Sequence, residues 1–174
     1  MNDQALFHAI ESAALLRGEF TLRSGRKSNY YLDKYLFESQ PMILRELGVR
    51  FARHVTPETS RIAGAELGGV ALAASCSLAS GLPFVIVRNA KKGYGTQKMF
   101  EGKIEPDDRV LLVEDVATTG GQVLEAARTL TEAGAEVERI VAVIDRQEGA
   151  RENIESAGYI FAALMTKTDL GINE

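Results

Sequence analysis

A chain of 174 residues, 45% hydrophobic and 25% charged, is long enough to bury one sizeable core and has the composition of an ordinary globular protein rather than a disordered one. Its net charge of −4 argues against a general nucleic-acid binder, which carries a broad basic face. A local basic site for a small anion remains compatible with that balance.

Met1–Ile10 contains an acid and a histidine instead of the basic then apolar pattern of a secretion signal. No run reaches the ~18 apolar residues that span a bilayer, so the expectation is a cytoplasmic protein without a membrane partner. Gln4–Leu16 has helical periodicity, with Leu6, Ile10 and Ala14 on one side and Glu11 on another, and Gly18 is expected to stop it. Phe20–Leu22 and Tyr30–Tyr35 read as strands around a polar turn, Ser24-Gly25-Arg26-Lys27-Ser28. Pro41 suits the first turn of a helix running to about His54. From Arg61 onward apolar strand, glycine-containing loop and helix repeat. The strands are expected at Ile62–Ala65, Phe84–Val87, Val110–Val113 and Ile140–Ile144, and the helices at Val70–Leu78, Gln122–Ala133 and Ala150–Ser156. Cys76, the only cysteine, falls in the small and apolar stretch Gly69–Ser80. It excludes an intramolecular disulfide, argues against a cysteine-ligated zinc cluster and reads as a buried, inert thiol.

Continuous β-branched runs alternating with helices predict an α/β fold with a parallel sheet covered on both faces. Right-handed crossovers place the loops after the strands along one edge, where open α/β sheets bind ligands. The chemistry is therefore expected just after Ala65, Val87, Val113 and Ile144.

After Val113 come Glu114-Asp115, then Val116-Ala117-Thr118-Thr119-Gly120-Gly121, then Gln122 and a helix. Backbone N–H groups of such a turn, with the helix dipole behind them, make an anion site. It is neither a Walker A loop nor a Gly-x-Gly-x-x-Gly dinucleotide turn. Carboxylates beside a phosphate repel it unless they face a neutral, hydroxyl-bearing part of the same ligand. A ribose phosphate supplies that arrangement, with its 5-phosphate on the loop and its 2- and 3-hydroxyls on Glu114 and Asp115. The plainer reading is a helix start with acids near the dipole.

The whole string from Val110 to Gly121 resembles the phosphoribosyl pyrophosphate (PRPP) signature of the type I phosphoribosyltransferases. The segment Arg88–Lys103 sets five basic residues (Arg88, Lys91, Lys92, Lys98, Lys103) against one acid, Glu101, a local +4. Its glycines suit a lid closing on pyrophosphate, against the alternative of a solvated loop. Val-Arg-Asn-Ala-Lys-Lys-Gly-Tyr-Gly-Thr within it looks like the catalytic loop of the orotate phosphoribosyltransferase family, with Arg88, Lys92 and Gly95 matching, Asn89 at an often basic position and Tyr94 replacing the usual histidine. Phe20–Tyr31 resembles that family's N-terminal hood, and Asp145-Arg146-Gln147-Glu148-Gly149 its base-recognition loop, whose arginine suits the orotate carboxylate. A surface hairpin and an Asp145–Arg146 ion pair are the structural alternatives for these two segments.

The resemblance implies a single domain over 1–174, with a hood at about 1–40 and a PRPP-binding core at about 60–165. It implies catalytic roles for Lys92, Asp115 and Glu114. Its PRPP-binding set is Lys27, Arg88, Asn89, Lys92, Tyr94 and the run Glu114, Asp115, Val116, Ala117, Thr118, Thr119, Gly120, Gly121 and Gln122. Its orotate-binding set is Thr118, Arg146, Lys27 and Tyr31. Gly64–Gly69 stands where the family's pyrophosphate loop is expected, although some members have a lysine at the position of Gly68. Mg²⁺ is expected to be held mainly through PRPP rather than by protein ligands. A homodimer is implied, with the 88–103 loop reaching the neighbouring site. The activity implied is transfer of the phosphoribosyl group of PRPP to orotate. A purine phosphoribosyltransferase and a non-catalytic PRPP-sensing regulator remain as alternatives.

Overall fold

The computed structural model describes residues 1–21, 25, 27–89 and 99–172. Six strands form the central sheet in the order β5-β4-β3-β6-β7-β8. They are β3 (Arg61–Ala65), β4 (Phe84–Val87), β5 (Phe100–Glu101), β6 (Arg109–Ala117), β7 (Glu136–Asp145) and β8 (Phe161–Thr166). All neighbouring pairs are parallel except β4 with the two-residue β5. The helices α3 (Pro41–Ala52), α4 (Gly69–Ser80), α5 (Gly121–Glu132) and α6 (Ala150–Ser156) accompany it.

Strand alternation feeds two cores, one on each face. Leu111 and Val113 turn to a cluster with Leu6, Ile10, Leu47, Phe51 and Leu72 from the first four helical segments' side. Val110 and Leu112 turn to a cluster with Val123, Leu130 and Ile154 from α5 and α6. This is the doubly covered parallel sheet that the apolar runs predict. Cys76 is wholly buried in the first cluster, and burial pushes its thiol up to about 12, the Ser80 hydrogen bond offsetting part of that rise. Among the described residues no helix is long and apolar enough to cross a membrane.

The first third departs from expectation. Helix α1 is Asp3–Ala14, and Leu15 already pairs with Leu32 in a separate two-stranded antiparallel sheet of β1 (Leu15–Thr21) and β2 (Lys27–Leu32). Gly18 does not end the helix. It lies inside β1, within the register shift between Arg17 and Phe20. The expected strand Tyr30–Tyr35 stops at Leu32, because Asp33 caps a short helix, α2 (Lys34–Glu38), its side chain accepting from the Tyr35 N–H at 3.2 Å. Further on, β6 continues through Glu114 and Asp115 to Ala117, so the paired acids belong to the strand end and not to the loop. Strand β8, Phe-Ala-Ala-Leu-Met-Thr, has helix-forming residues and no β-branched side chain before its last position. Its ladder to β7 overrides that propensity.

Helices α3 and α4 cross where Gly48 meets Ser75, so closely that a Cβ on Gly48 would overlap the Ser75 hydroxyl and backbone. The Ser75 hydroxyl in turn donates to the Leu44 carbonyl at 2.7 Å. Gly48→Val should therefore destabilise the fold by about 1–3 kcal/mol through overpacking. Urea unfolding with an unshifted midpoint would show that the crossing has slack.

Candidate active site

The C-terminal ends of β3, β4, β6 and β7 meet at one edge of the sheet. Between β6 and α5 the chain turns through Thr118–Gly120. Gly120 has φ +80°, and a Cβ there would stand 3.0 Å from Ile154 Cγ1, so both conformation and space call for glycine. The first turn of α5 receives no side-chain cap among the described residues. Its N–H groups border a cavity of about 200 Å³ lined by Glu114 and by residues 116–123. Asn153 braces the loop from α6, donating to the Thr119 carbonyl at 2.9 Å. Uncapped helical N–H groups at the mouth of a cavity form an anion cradle. Glu114 and the run from Val116 to Gln122 thus line one concave surface, whereas Asp115 is absent from that lining and its carboxylate meets Lys34.

Glu114 and Asp115 are nearly closed off from water, at 7% and 2% exposure. Their carboxyls interact, and Glu114 Oε2 has no hydrogen-bond partner among the described residues. Burial first, and the Asp115 charge second, raise the Glu114 pKa well above the ordinary carboxyl range. Asp115 Oδ2 instead meets an ammonium, Lys34 Nζ, at 2.6 Å. Burial by itself lowers the Lys34 pKa, but the hydrogen bond and charge of Asp115 outweigh it and the net direction is upward. Glu38, from the same short helix, is also buried, with Oε1 unpartnered among the described residues. Burial and the Asp115 charge push it up to about 8, against a partial offset from Lys34. Neither Lys34 nor Glu38 is signalled by the sequence, since both fall where a strand and its flank are expected and only the fold turns them to Asp115.

A second group of contacts ties the neighbouring loops together. The Glu66–Leu67 peptide of the β3–α4 turn is cis. Glu66 accepts from the Asn89 backbone N–H on its carboxylate and from the Asn89 amide on its carbonyl, both at 2.9 Å. Gln122 Nε2 donates to the Glu66 carbonyl and to Asn89 Oδ1, each at 3.3 Å. Arg88 pairs with Glu101 at 3.3 Å and lies 4.0 Å from Glu66. Arg88, Asn89 and Gln122 thereby converge with Glu66, a residue the sequence did not single out for a role. Lys92 and Tyr94 lie outside the described residues.

Arg146, after β7, is held by two neighbours. Its Nη2 donates to the Tyr30 hydroxyl at 3.0 Å and pairs with Glu148 at 2.9 Å, and its guanidinium lies 5.7 Å from the Tyr30 ring centroid. Its Nε is buried without a partner among the described residues. Asp145 is not its ion-pair partner; that carboxylate accepts from the Gln147 N–H at 2.7 Å. Tyr30 therefore links the hood to the core. Tyr31, on the opposite face of β2, is half exposed, with its ring 5.7 Å from that of Phe20. Lys27 is exposed and paired with Glu19.

The family model for the phosphoribosyl transferase domain matches residues 58–162, the span that holds this sheet edge, the uncapped start of α5 and the buried acid pair, and so defines the chain as a phosphoribosyltransferase by class. An orotate phosphoribosyltransferase of Methanocella arvoryzae is 47% identical over 160 residues, covering 92% of this chain and 91% of that protein. The solved orotate phosphoribosyltransferase of Mycobacterium tuberculosis in complex with Fe(III) dicitrate superposes with a TM-score of 0.87 at 32% identity, covering 98% of this chain and all of that one. The same enzyme in complex with PRPP gives 0.82 at 31% identity, covering 98% of this chain and 100% of that one. The chain belongs to the orotate phosphoribosyltransferase family.

The raised Glu38 has a measurable consequence. A carboxyl at about 8 in the folded protein, against an ordinary value of 4.5, binds its proton more tightly than the unfolded chain does. Stability must then fall as pH rises through that window. Glu38→Gln should remove a slope amounting to roughly 2–4 kcal/mol across it, leaving the share from Glu114, which has the same sign. Urea midpoints between pH 5 and 8 check this, and an unaltered slope counts against a buried neutral Glu38.

Proposed function

We propose that this protein transfers the 5-phosphoribosyl group of PRPP to orotate, releasing pyrophosphate and forming orotidine 5′-monophosphate for pyrimidine synthesis. One observation carries the reading: the Glu114–Asp115 pair near the end of β6, the uncapped start of α5 that follows it and Arg146 after the adjacent β7 all stand at the C-terminal edge of the sheet, which supports a site for a 5-phosphate, a ribose and a carboxylated base.

The cradle formed by residues 116–122 holds the 5-phosphate with backbone N–H groups and the hydroxyls of Thr118 and Thr119. Glu114 and Asp115 take the ribose hydroxyls. As the bond from carbon 1 to the pyrophosphate oxygen breaks, its electron pair leaves with pyrophosphate and the ring gains cationic character. Asp115 is the negative charge that favours this, and the orotate ring nitrogen closes the new bond as its N–H proton is given up, to be taken by the departing pyrophosphate. Arg146 holds the orotate carboxylate, its unpartnered Nε supplying one arm of a fork whose other arm Tyr30 steadies. Thr118, Lys27 and Tyr31 border the same base. Lys92, Arg88, Asn89 and Tyr94 meet the pyrophosphate, where charge builds up on the departing group.

Mg²⁺ carried on the diphosphate supplies positive charge to the leaving group. Glu114 Oε2, an oxygen without a partner among the described residues, is the one nearby atom that would face a metal brought in on the substrate's oxygens. The working form is a homodimer. Its support is the apolar face of α3 and α4, where Met42, Val49 and Leu78 are exposed around a groove lined by Pro41, Leu44, Ala74 and Ala79.

Loss of orotate absorbance on adding PRPP and Mg²⁺ tests the activity directly; no loss with orotate but turnover with a purine base would reassign the substrate. Arg146→Ala should raise the orotate KM by the worth of a charged hydrogen bond, about 1.5–3 kcal/mol, with the PRPP KM little changed. A fall in PRPP affinity alone would remove Arg146 from base recognition.

A further inference from the structure

Lys34 starts from α2, at the hood, and its ammonium ends in the core between the β3–α4 turn and the end of β6. There it touches Asp115, whose side chain is 3% exposed, while Lys34 keeps 31% of its own side chain open. A Cβ built on Gly68 would lie 3.1 Å from Lys34 Nζ and would overlap the Asp115 carboxylate. The Gly68 backbone is ordinary, with φ −62°, so it is space and not conformation that demands glycine. Any side chain at 68 would push Asp115 off its ammonium. Gly68, Asp115 and Lys34 are therefore one packed unit.

An ammonium has three donors, and Asp115 Oδ2 takes one. On the reading given above, Asp115 addresses a ribose hydroxyl, and in PRPP the diphosphate is attached at the carbon next to the one bearing the 2-hydroxyl. A cation in contact with Asp115 is consequently within reach of that diphosphate. The uncapped start of α4, whose N-cap is Gly68, lies beside it and adds backbone donors of the same sign.

The geometry points to Lys34 as a diphosphate-binding residue of this site, holding Asp115 with one donor and offering the others to the ligand's diphosphate above Gly68. The assignment rests on the phosphate-loop reading of Thr118–Gly121. It differs from a purely structural role, in which Lys34 only neutralises Asp115, in the ligands it affects. Ribose 5-phosphate has the hydroxyls and the 5-phosphate but no diphosphate.

Calorimetric titration with PRPP, pyrophosphate and ribose 5-phosphate, each with Mg²⁺, separates the two. Lys34→Met should weaken PRPP and pyrophosphate by about tenfold or more and leave ribose 5-phosphate unchanged, and Lys34→Arg should retain most of the affinity. In the double variant Lys34→Ala/Gly68→Lys a new ammonium springs from beside the same point, and Asp115 is free to make way for it, so pyrophosphate affinity should return. Equal losses for ribose 5-phosphate and PRPP in Lys34→Met would reduce Lys34 to a support for Asp115 and overturn the assignment, as would unchanged pyrophosphate binding. Thermal unfolding checks each variant. Should Lys34→Met fail to fold, the double variant decides, and its inability to bind pyrophosphate rejects the proposal. Wild-type protein that binds no ribose 5-phosphate would instead overturn the phosphate-loop reading, and Lys34's role with it.

Discussion

Two adjacent carboxyls, Glu114 and Asp115, close the central strand of the sheet at a point where water is almost excluded, and two neighbouring negative charges there would be costly in so poorly solvated a place. The fold answers with one ammonium and one proton: Lys34 pairs with Asp115, and burial keeps Glu114 protonated more readily than an ordinary acid. The arrangement depends on several close approaches. Gly68 leaves room for the Asp115 carboxylate, and Gly64 and Gly69 let the end of β3 pack against the start of α4 with no Cβ between them. A side chain at Gly68 would strike the Asp115 carboxylate itself, whereas one at Gly64 or Gly69 would force β3 and α4 apart.

The same edge gathers its other charges by pairing them within the protein. Arg146 is occupied by Glu148 and Tyr30, Arg88 by Glu101, and Glu66 by the amides of Asn89. A binding site built in this way is preorganised but partly self-satisfied. A ligand anion gains less from each cation than it would from a bare charge, because it displaces or shares an internal partner. In return the cations stay fixed in position, which favours stabilisation of charge that develops during reaction over tight ground-state binding.

The hood and the core contribute unlike things. The core supplies backbone donors and acids from consecutive residues, all within one strand–turn–helix. The hood reaches the site through single side chains, Tyr30 to Arg146 and Lys34 to Asp115. Both contacts join segments more than 80 residues apart in sequence, a separation of 116 for Tyr30 and Arg146. The positions of Arg146 and Asp115 are therefore coupled to the seating of a small two-stranded sheet and one short helix.

Where successive residues shape the backbone, the sequence by itself was enough. The parallel sheet followed from apolar runs alternating with helices, and the tight turn at Thr118–Gly121 ahead of the helix from its own residues, because such features are local and periodic. It misplaced what depends on long-range pairing, the start of β1 at Leu15, the end of β2 at Leu32 and the extension of β6 through the acids, and it left β8 unassigned because its side chains prefer helix. Lys34 and Glu38 carried no signal, since an isolated lysine or glutamate becomes part of a site only when the chain brings it against a buried charge. Local steric and capping preferences are written residue by residue, whereas which distant side chain neutralises Asp115 is decided by packing, and only the tertiary structure chose Lys34.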